Sequence, residues 1–251
     1  MEISSDIDIS RYLKKAALSW DESKPSDVKH GLVNIDKIDA NCIRLHDKLS
    51  EIIKSALKLK KLEDCNQDLY SYCVPEISED GVCSHPDKLA AKPYSFHTVL
   101  GEPSLDKLKQ LTILDDFIAF CYEDLGTDWL GIYKRFNKIE APTLVKMAYR
   151  GIPSRAEFPI TNEFAAHSNN STVALTGKAI VINNLDVHLS KGGVFYVCDE
   201  AIRSEACLPI YSPDFSKVVG IIDAESTQTY AYREKELSYL VALCLVLSEI
   251  I

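Results

Sequence analysis

Between Ser204 and Ser226 the chain carries two apolar runs that fix much of what it can fold into. Glu205 leads into Ala206-Cys207-Leu208-Pro209-Ile210, and after a turn around Pro213-Asp214 a second run ends in two carboxylates, Asp223 and Glu225. Side chains on a strand alternate between faces, so residues two apart point the same way. Val219, Ile221, Asp223 and Glu225 are therefore expected on one face, with Glu205 and Cys207 sharing a face of the neighbouring strand. Two carboxylates aimed together out of a hydrophobic strand are costly unless a proton or a positive group sits between them. That cost marks a candidate site.

At 251 residues the chain is long enough for one large domain, or a smaller one with an extension. The net charge of -9 disfavours nucleic acid and anionic membrane as partners, since either would want a basic face. No window reaches the roughly 18 uninterrupted apolar residues of a membrane span. The acidic start, MEISSDIDIS, is unlike a signal peptide, and the 8 cysteines form no CxxC pair. The expectation is a cytoplasmic protein with free thiols.

Residues 7–21 predict a short helix, broken by Lys24-Pro25-Ser26-Asp27. From Ile35 the apolar positions Ile38, Cys42, Leu45, Leu49, Ile52, Ala56 and Leu59 trace a seam along a helix to about Lys61. That seam could pair with its copy in a homodimer, or dock on the chain's own domain. Residues 62–103 show no clear period and read as an irregular connection, expected to cover the later pocket. Cys65, Cys73, Cys83 and His85 lie in it at spacings that match no standard zinc pattern, so no metal is expected.

Ser104 predicts the N-cap of a helix bearing Leu108, Leu111, Leu114, Phe117, Ile118 and Cys121. Strands are expected at 129–135 and 144–149, a helix at 162–176 ended by Gly177, and a short strand at 179–182. A long loop (183–200) leads to the two strands of the opening paragraph, and residues 234–251 form a last helix. The order predicts an α+β fold. A central antiparallel sheet would carry the first and last helices of residues 104–251 on one face and a pocket on the other, preceded by a helical extension over residues 1–103.

Four ordered stretches of residues 104–251 resemble GAF domains, and more narrowly the free methionine-(R)-sulfoxide reductases. They are Asp128-Trp129-Leu130-Gly131-Ile132-Tyr133, Asp186-Val187-His188, Cys198-Asp199-Glu200-Ala201 with Arg203-Ser204-Glu205, and Gly220-Ile221-Ile222-Asp223-Ala224-Glu225-Ser226. The resemblance implies a catalytic thiol at Cys198, substrate-binding carboxylates at Glu205, Asp223 and Glu225, and an aromatic wall from Trp129 and Tyr133. It implies no bound cofactor, but an external thiol reductant such as thioredoxin or glutathione. The chain departs from that pattern at Glu225, where aspartate is usual. It departs again at Ser168-Asn169-Asn170-Ser171, where Asn170 replaces a resolving cysteine, and near Ile180, where another cysteine is missing.

The residues argue in the same direction. A thiolate is the usual nucleophile for a sulfoxide sulfur. Neighbouring carboxylates keep one another protonated, so one can supply a proton while another holds an ammonium group. Trp129 and Tyr133, four apart on a strand, offer a polarisable wall to a methylthio group. The resulting sulfenic acid needs a second thiol, for which Cys207, Cys83 and a small-molecule thiol are the candidates. Two functions fit: a reductase, catalytic through Cys198, Asp223 and Glu225, or a binding module holding a small amino acid or amine. An acidic pocket repels phosphate, which disfavours a cyclic nucleotide.

Overall fold

A computed structural model describes residues 6–18, 33–78, 84–193, 195 and 199–251. Helix α1 (Asp6–Ala16) comes first, then α2 (Ile35–Ala56), which starts where the Asn34 side chain accepts the Lys37 N–H. The expected break around Pro25, and residues 19–21 of the first expected helix, lie outside the described residues.

The seam on α2 is used within the chain. Ile38, Cys42, Leu45, Leu49, Ile52 and Ala56 are buried, packed against α4 (Leu105–Leu125) and α8 (Glu234–Leu247). Each large apolar side chain contributes roughly 1.5–3 kcal/mol on full burial, so this face is a major attachment. The extension is part of the core.

Residues 62–103 are more regular than their sequence suggests. Strand β1 (Ser71–Tyr72) pairs with β4 (Tyr94–Ser95), and β2 (Pro75–Ile77) with β3 (Ser84–Leu89), before the short helix α3 (His97–Leu100). The ladders are too short to leave a periodic signal. Nor do the segment's described residues line the later pocket. Its Tyr70, Tyr72 and Phe96 pack as an aromatic group beside Tyr149, which fixes the segment to the flank of the domain.

Ser104 caps α4 as expected, and Gly126 ends it in the left-handed conformation that suits glycine (φ 68°). Then come β5 (Trp129–Asn137), β6 (Pro142–Arg150) and β7 (Glu157–Pro159), a strand the sequence did not announce. The helix expected at 162–176 is two, α5 (Asn162–Ala165) and α6 (Asn169–Thr176), because the Ser168 side chain accepts the Ser171 N–H and begins a new helix. Strand β8 (Ile180–Ile182) follows. The expected long loop holds α7 (Leu185–Ser190), and β9 (Ser204–Tyr211) and β10 (Val218–Ser226) complete the sheet.

The sheet is antiparallel, six strands in the order β7-β6-β5-β10-β9-β8. Helices α4 and α8 cover one face, over Leu130, Ile132, Leu208, Ile222 and Ala224, and α2 packs on those two helices. The other face gathers Trp129, Tyr133, Leu144, Phe158, Cys207 and Ile221 under α6. One expected facing is corrected: Val219 joins the helix-side cluster, because the ladder shifts register between Val218 and Gly220 and the extra residue breaks the alternation. At the far edge β8 is too short to cover β9. Helix α1 covers the remainder, with the Tyr12 hydroxyl donating to the Pro209 carbonyl at 2.9 Å and Ala179 N–H donating to Ala16 O.

Candidate functional site

Register brings the acids together. Glu225 pairs with Glu205 on one side and Trp129 on the other, while Asp223 pairs with Cys207 and Gly131. Oxygens of Glu205, Asp223 and Glu225 lie within 4.8 Å of one another, and all three residues are buried. Gly131 makes the row possible. A methyl group there would come within 2.2 Å of the Trp129 ring, which lies across the strand. Trp129 Nε1 donates to Ile152 O at 3.0 Å, and its ring stacks on Tyr149 at 6.2 Å and lies 6.3 Å from Tyr133.

The first turn of α6 closes the site. Asn169 Nδ2 donates to Glu205 Oε2, and Asn170 Nδ2 donates to Asp223 Oδ2 at 2.9 Å. Cys207 Sγ donates to Asn170 Oδ1 at 3.2 Å. Asp223 Oδ1 is buried and has no hydrogen-bond partner among the described residues. The space bounded by these groups with Trp129, Tyr133 and Ser154 is about 10 Å³, room for about one water.

Lys146 is the residue that the sequence reading missed. It is fully buried, and Nζ donates to both the carbonyl and the hydroxyl of Ser154, each at 2.8 Å. Nζ also lies 3.9 Å from the Tyr149 ring centroid and 5.7 Å from that of Trp129. The β5–β6 register shifts between Ile132 and Tyr133, leaving Met147 unpaired and placing Lys146 opposite Tyr133. That bulge turns Lys146 to the pocket face, where plain alternation from Tyr149 would have turned it toward the helices. A lone lysine between Val145 and Met147 was the available signal, because lysine is almost never fully buried without a partner.

Burial pushes the Glu205 carboxyl well above its ordinary range, and the nearby Asp223 charge adds to it against the opposing Asn169 hydrogen bond. Burial does the same to Glu225, helped by Asp223, Glu205 and Asp199 and opposed by Lys146. Asp223 is raised by burial to about 6, held back by the Asn170 hydrogen bond and by Lys146. Burial thus favours the protonated form at all three acids, and Asn170 and Lys146 oppose it at Asp223. Burial also raises the Cys207 thiol well above its usual value, so it stays protonated.

Three carboxyls this close make a cation site. Here Lys146 already supplies positive charge, and both asparagines turn N–H donors toward the acids. That donor set suits protons or an ammonium group and does not fit a metal ion. Among the described residues no other group of three metal-ligating side chains converges, and Cys65 is buried, donating to Lys61 O.

Trp129, Tyr133, Glu205, Asp223, Glu225 and Cys207 therefore meet. Cys198 and Cys83 lie outside the described residues. Asp199, beside Cys198, is close enough for its charge to act on Glu225. His188 sits on α7. Among the described residues no helix is long and apolar enough to cross a membrane.

The fold is an α+β domain with a small closed pocket on the sheet face opposite the main helices. The GAF domain family matches residues 111–251, more than half of the chain, and the chain belongs to that family. Comparison with curated proteins gives no match. Among solved structures the chain is similar to the type II free methionine-R-sulfoxide reductase of Thermoplasma acidophilum, with 16% identity over 57% of this chain and 93% of that one, TM-score 0.48. It is also similar to the free methionine-R-sulfoxide reductase of Neisseria meningitidis in complex with its substrate, with 22% identity, 56% and 77% coverage and TM-score 0.46. The GAF domain of an Acinetobacter phosphoenolpyruvate-protein phosphotransferase matches at 18% identity, 56% and 81% coverage and TM-score 0.46.

Proposed function

We propose that this GAF domain binds free methionine-(R)-sulfoxide and reduces it to methionine. The observation that carries the reading is the buried carboxyl trio beside Trp129 and Tyr133, with one Asp223 oxygen left unpaired among the described residues. Asp223, as the anion, holds the α-ammonium. The aromatic wall receives the methylsulfinyl end, and Glu225 or Glu205, as the protonated acid, faces the oxygen. Cys198 as thiolate attacks the sulfur, the S–O bond breaks, and the oxygen passes to the cysteine as its proton is supplied by a glutamic acid. The products are methionine and a Cys198 sulfenic acid. Two equivalents of an external thiol, as in thioredoxin or glutathione, return the sulfenic acid to thiol and release water and a disulfide. Ligand access requires α6 to withdraw Asn169 and Asn170 from the acids.

A second reading is a binding module that holds the same kind of amino acid without turning it over. Asn170 favours it, because an amide stands on α6 where the resemblance would set a thiol, and Cys207 beside it is buried. One assay separates the two. Purified protein with dithiothreitol consumes free methionine-(R)-sulfoxide if it is a reductase, and Cys198→Ser abolishes consumption. Binding without consumption by the wild type establishes the module, and undiminished turnover by Cys198→Ser rejects the assigned nucleophile.

A further inference from the structure

We infer that Lys146 is a positioning residue that fixes the site's negative charge on Asp223 and so leaves Glu205 and Glu225 as the proton carriers. The role in catalysis rests on the reading of this pocket as a ligand site; the placement of charge does not.

The β6 bulge at Met147 delivers Lys146 to the pocket face, and bulges beside functional sites commonly re-aim one side chain in this way. Ser154, which lines the acid cavity, fixes Nζ with two hydrogen bonds of 2.8 Å. The ring of Tyr149 lies against the ammonium at 3.9 Å, and Tyr72 from the extension donates its hydroxyl to the Lys146 carbonyl at 2.8 Å. These contacts hold the buried ammonium in one place beside the acids.

Along the sheet, Lys146 and Tyr133 form one row, and Tyr149, Gly131 and Asp223 form the next. Over Gly131 the Trp129 ring lies across the strand, its centroid 5.7 Å from Lys146 Nζ. Lys146 acts electrostatically on Asp223 and Glu225, whereas it is not among the influences on Glu205. The other groups acting on the trio are Asp199 on Glu225, the Asn169 and Asn170 amides, and, at the same cluster, the Cys207 thiol and the Tyr232 phenol. None of these is a cation. A charge is less costly on Asp223 than on Glu225, because an Asn170 hydrogen bond favours the ionised form of Asp223 while Glu225 faces Glu205 directly.

The test reads carboxyl carbons by NMR in full-length protein labelled with ¹³C at Asp and Glu side chains, with Asp223→Asn, Glu205→Gln and Glu225→Gln used for assignment. In the wild type, Asp223 should ionise first and both glutamates should remain protonated at neutral pH. This requires no lysine variant, and a glutamate ionising before Asp223 overturns the inference. Lys146→Met should move the Asp223 midpoint up by about one unit or more, and Lys146→Arg should leave it nearer the wild type. An unmoved midpoint in folded Lys146→Met overturns the proposal. Calorimetry with free methionine-(R)-sulfoxide at pH 6 to 9 adds the link to function. For a one-unit rise, Lys146→Met should bind about fivefold more weakly at pH 6 and about twofold at pH 7, and recover at higher pH. If the sulfoxide binds neither protein while the Asp223 midpoint still moves, the ligand reading fails and the assignment of Lys146 stands.

Discussion

Glu205 and Glu225 stand directly opposite one another on neighbouring antiparallel strands, buried, with carboxyl oxygens within 4.8 Å of one another. Like charges directly opposite on a sheet destabilise it, so the pair is tolerated because protons remove the charge.

That arrangement makes stability depend on pH with a definite sign. Both glutamates have folded-state values raised above the ordinary 4.5, by burial first and neighbouring acids second. Their contribution is therefore fully present below the unfolded value and is lost as pH rises through the folded one. Wild-type melting temperature should fall between pH 5 and pH 9. Glu225→Gln, which keeps shape without charge, should fall less steeply and overtake the wild type at the alkaline end. For a chain of this size the gap is about 2–4 °C for each kcal/mol. Parallel pH profiles for the two proteins would mean that Glu225 is ionised in the folded state.

Gly131 should not accept even a methyl group. Its added carbon would lie 2.2 Å from the Trp129 ring, and Trp129 is held by its bond to Ile152 O and by Tyr149. Gly131→Ala should cost about 1–3 kcal/mol, the usual range for overpacking. In a Trp20→Phe background the remaining indole emission should also shift to longer wavelength, as the ring is pushed out of its slot. A variant with unchanged stability and emission would show that the indole can lie elsewhere at no cost.

Cys207 should resist modification. Its thiol is fully buried, donates to Asn170 Oδ1, and is held protonated chiefly by burial and then by the Asp223 charge. Thiolate is the reactive form, so native protein treated briefly with iodoacetamide at pH 8 should carry label at the exposed Cys73 and none at Cys207 by peptide mass spectrometry. Early labelling of Cys207 would return it to the list of resolving thiols.

The pocket strands and their acids were legible because alternation is a strong signal in apolar runs. It put Asp223 with Glu225 and Glu205 with Cys207 before any coordinate, and the same logic paired Trp129 with Tyr133. It failed where a strand gains a residue. The bulges at Val218–Gly220 and at Met147 reversed the facing of Val219 and delivered Lys146, and the only local sign of either was the lone lysine in an apolar run. The helix seam of α2 was equally plain, but its partner was not, since a seam records an apolar face and not what covers it. Strands of two or three residues in 71–95 were hidden because their stability comes from aromatic packing on the domain, not from a repeating pattern.

Helix α1 should act as the missing edge strand of the sheet. Strand β8 pairs with β9 only from Glu205 to Cys207, and beyond it the Tyr12 hydroxyl satisfies the buried Pro209 carbonyl while its ring packs edge-on against Tyr211 at 5.6 Å. Tyr12→Phe keeps the ring and removes only the donor. It should lower stability by about 1 kcal/mol, the usual net worth of such a bond, seen as a lower urea midpoint with an unchanged slope. Leu13→Ala, which removes buried apolar volume on the same helix, should cost about 2–5 kcal/mol. If Tyr12→Phe proves neutral while Leu13→Ala is severe, α1 is attached by packing alone and the edge carbonyl is met by water.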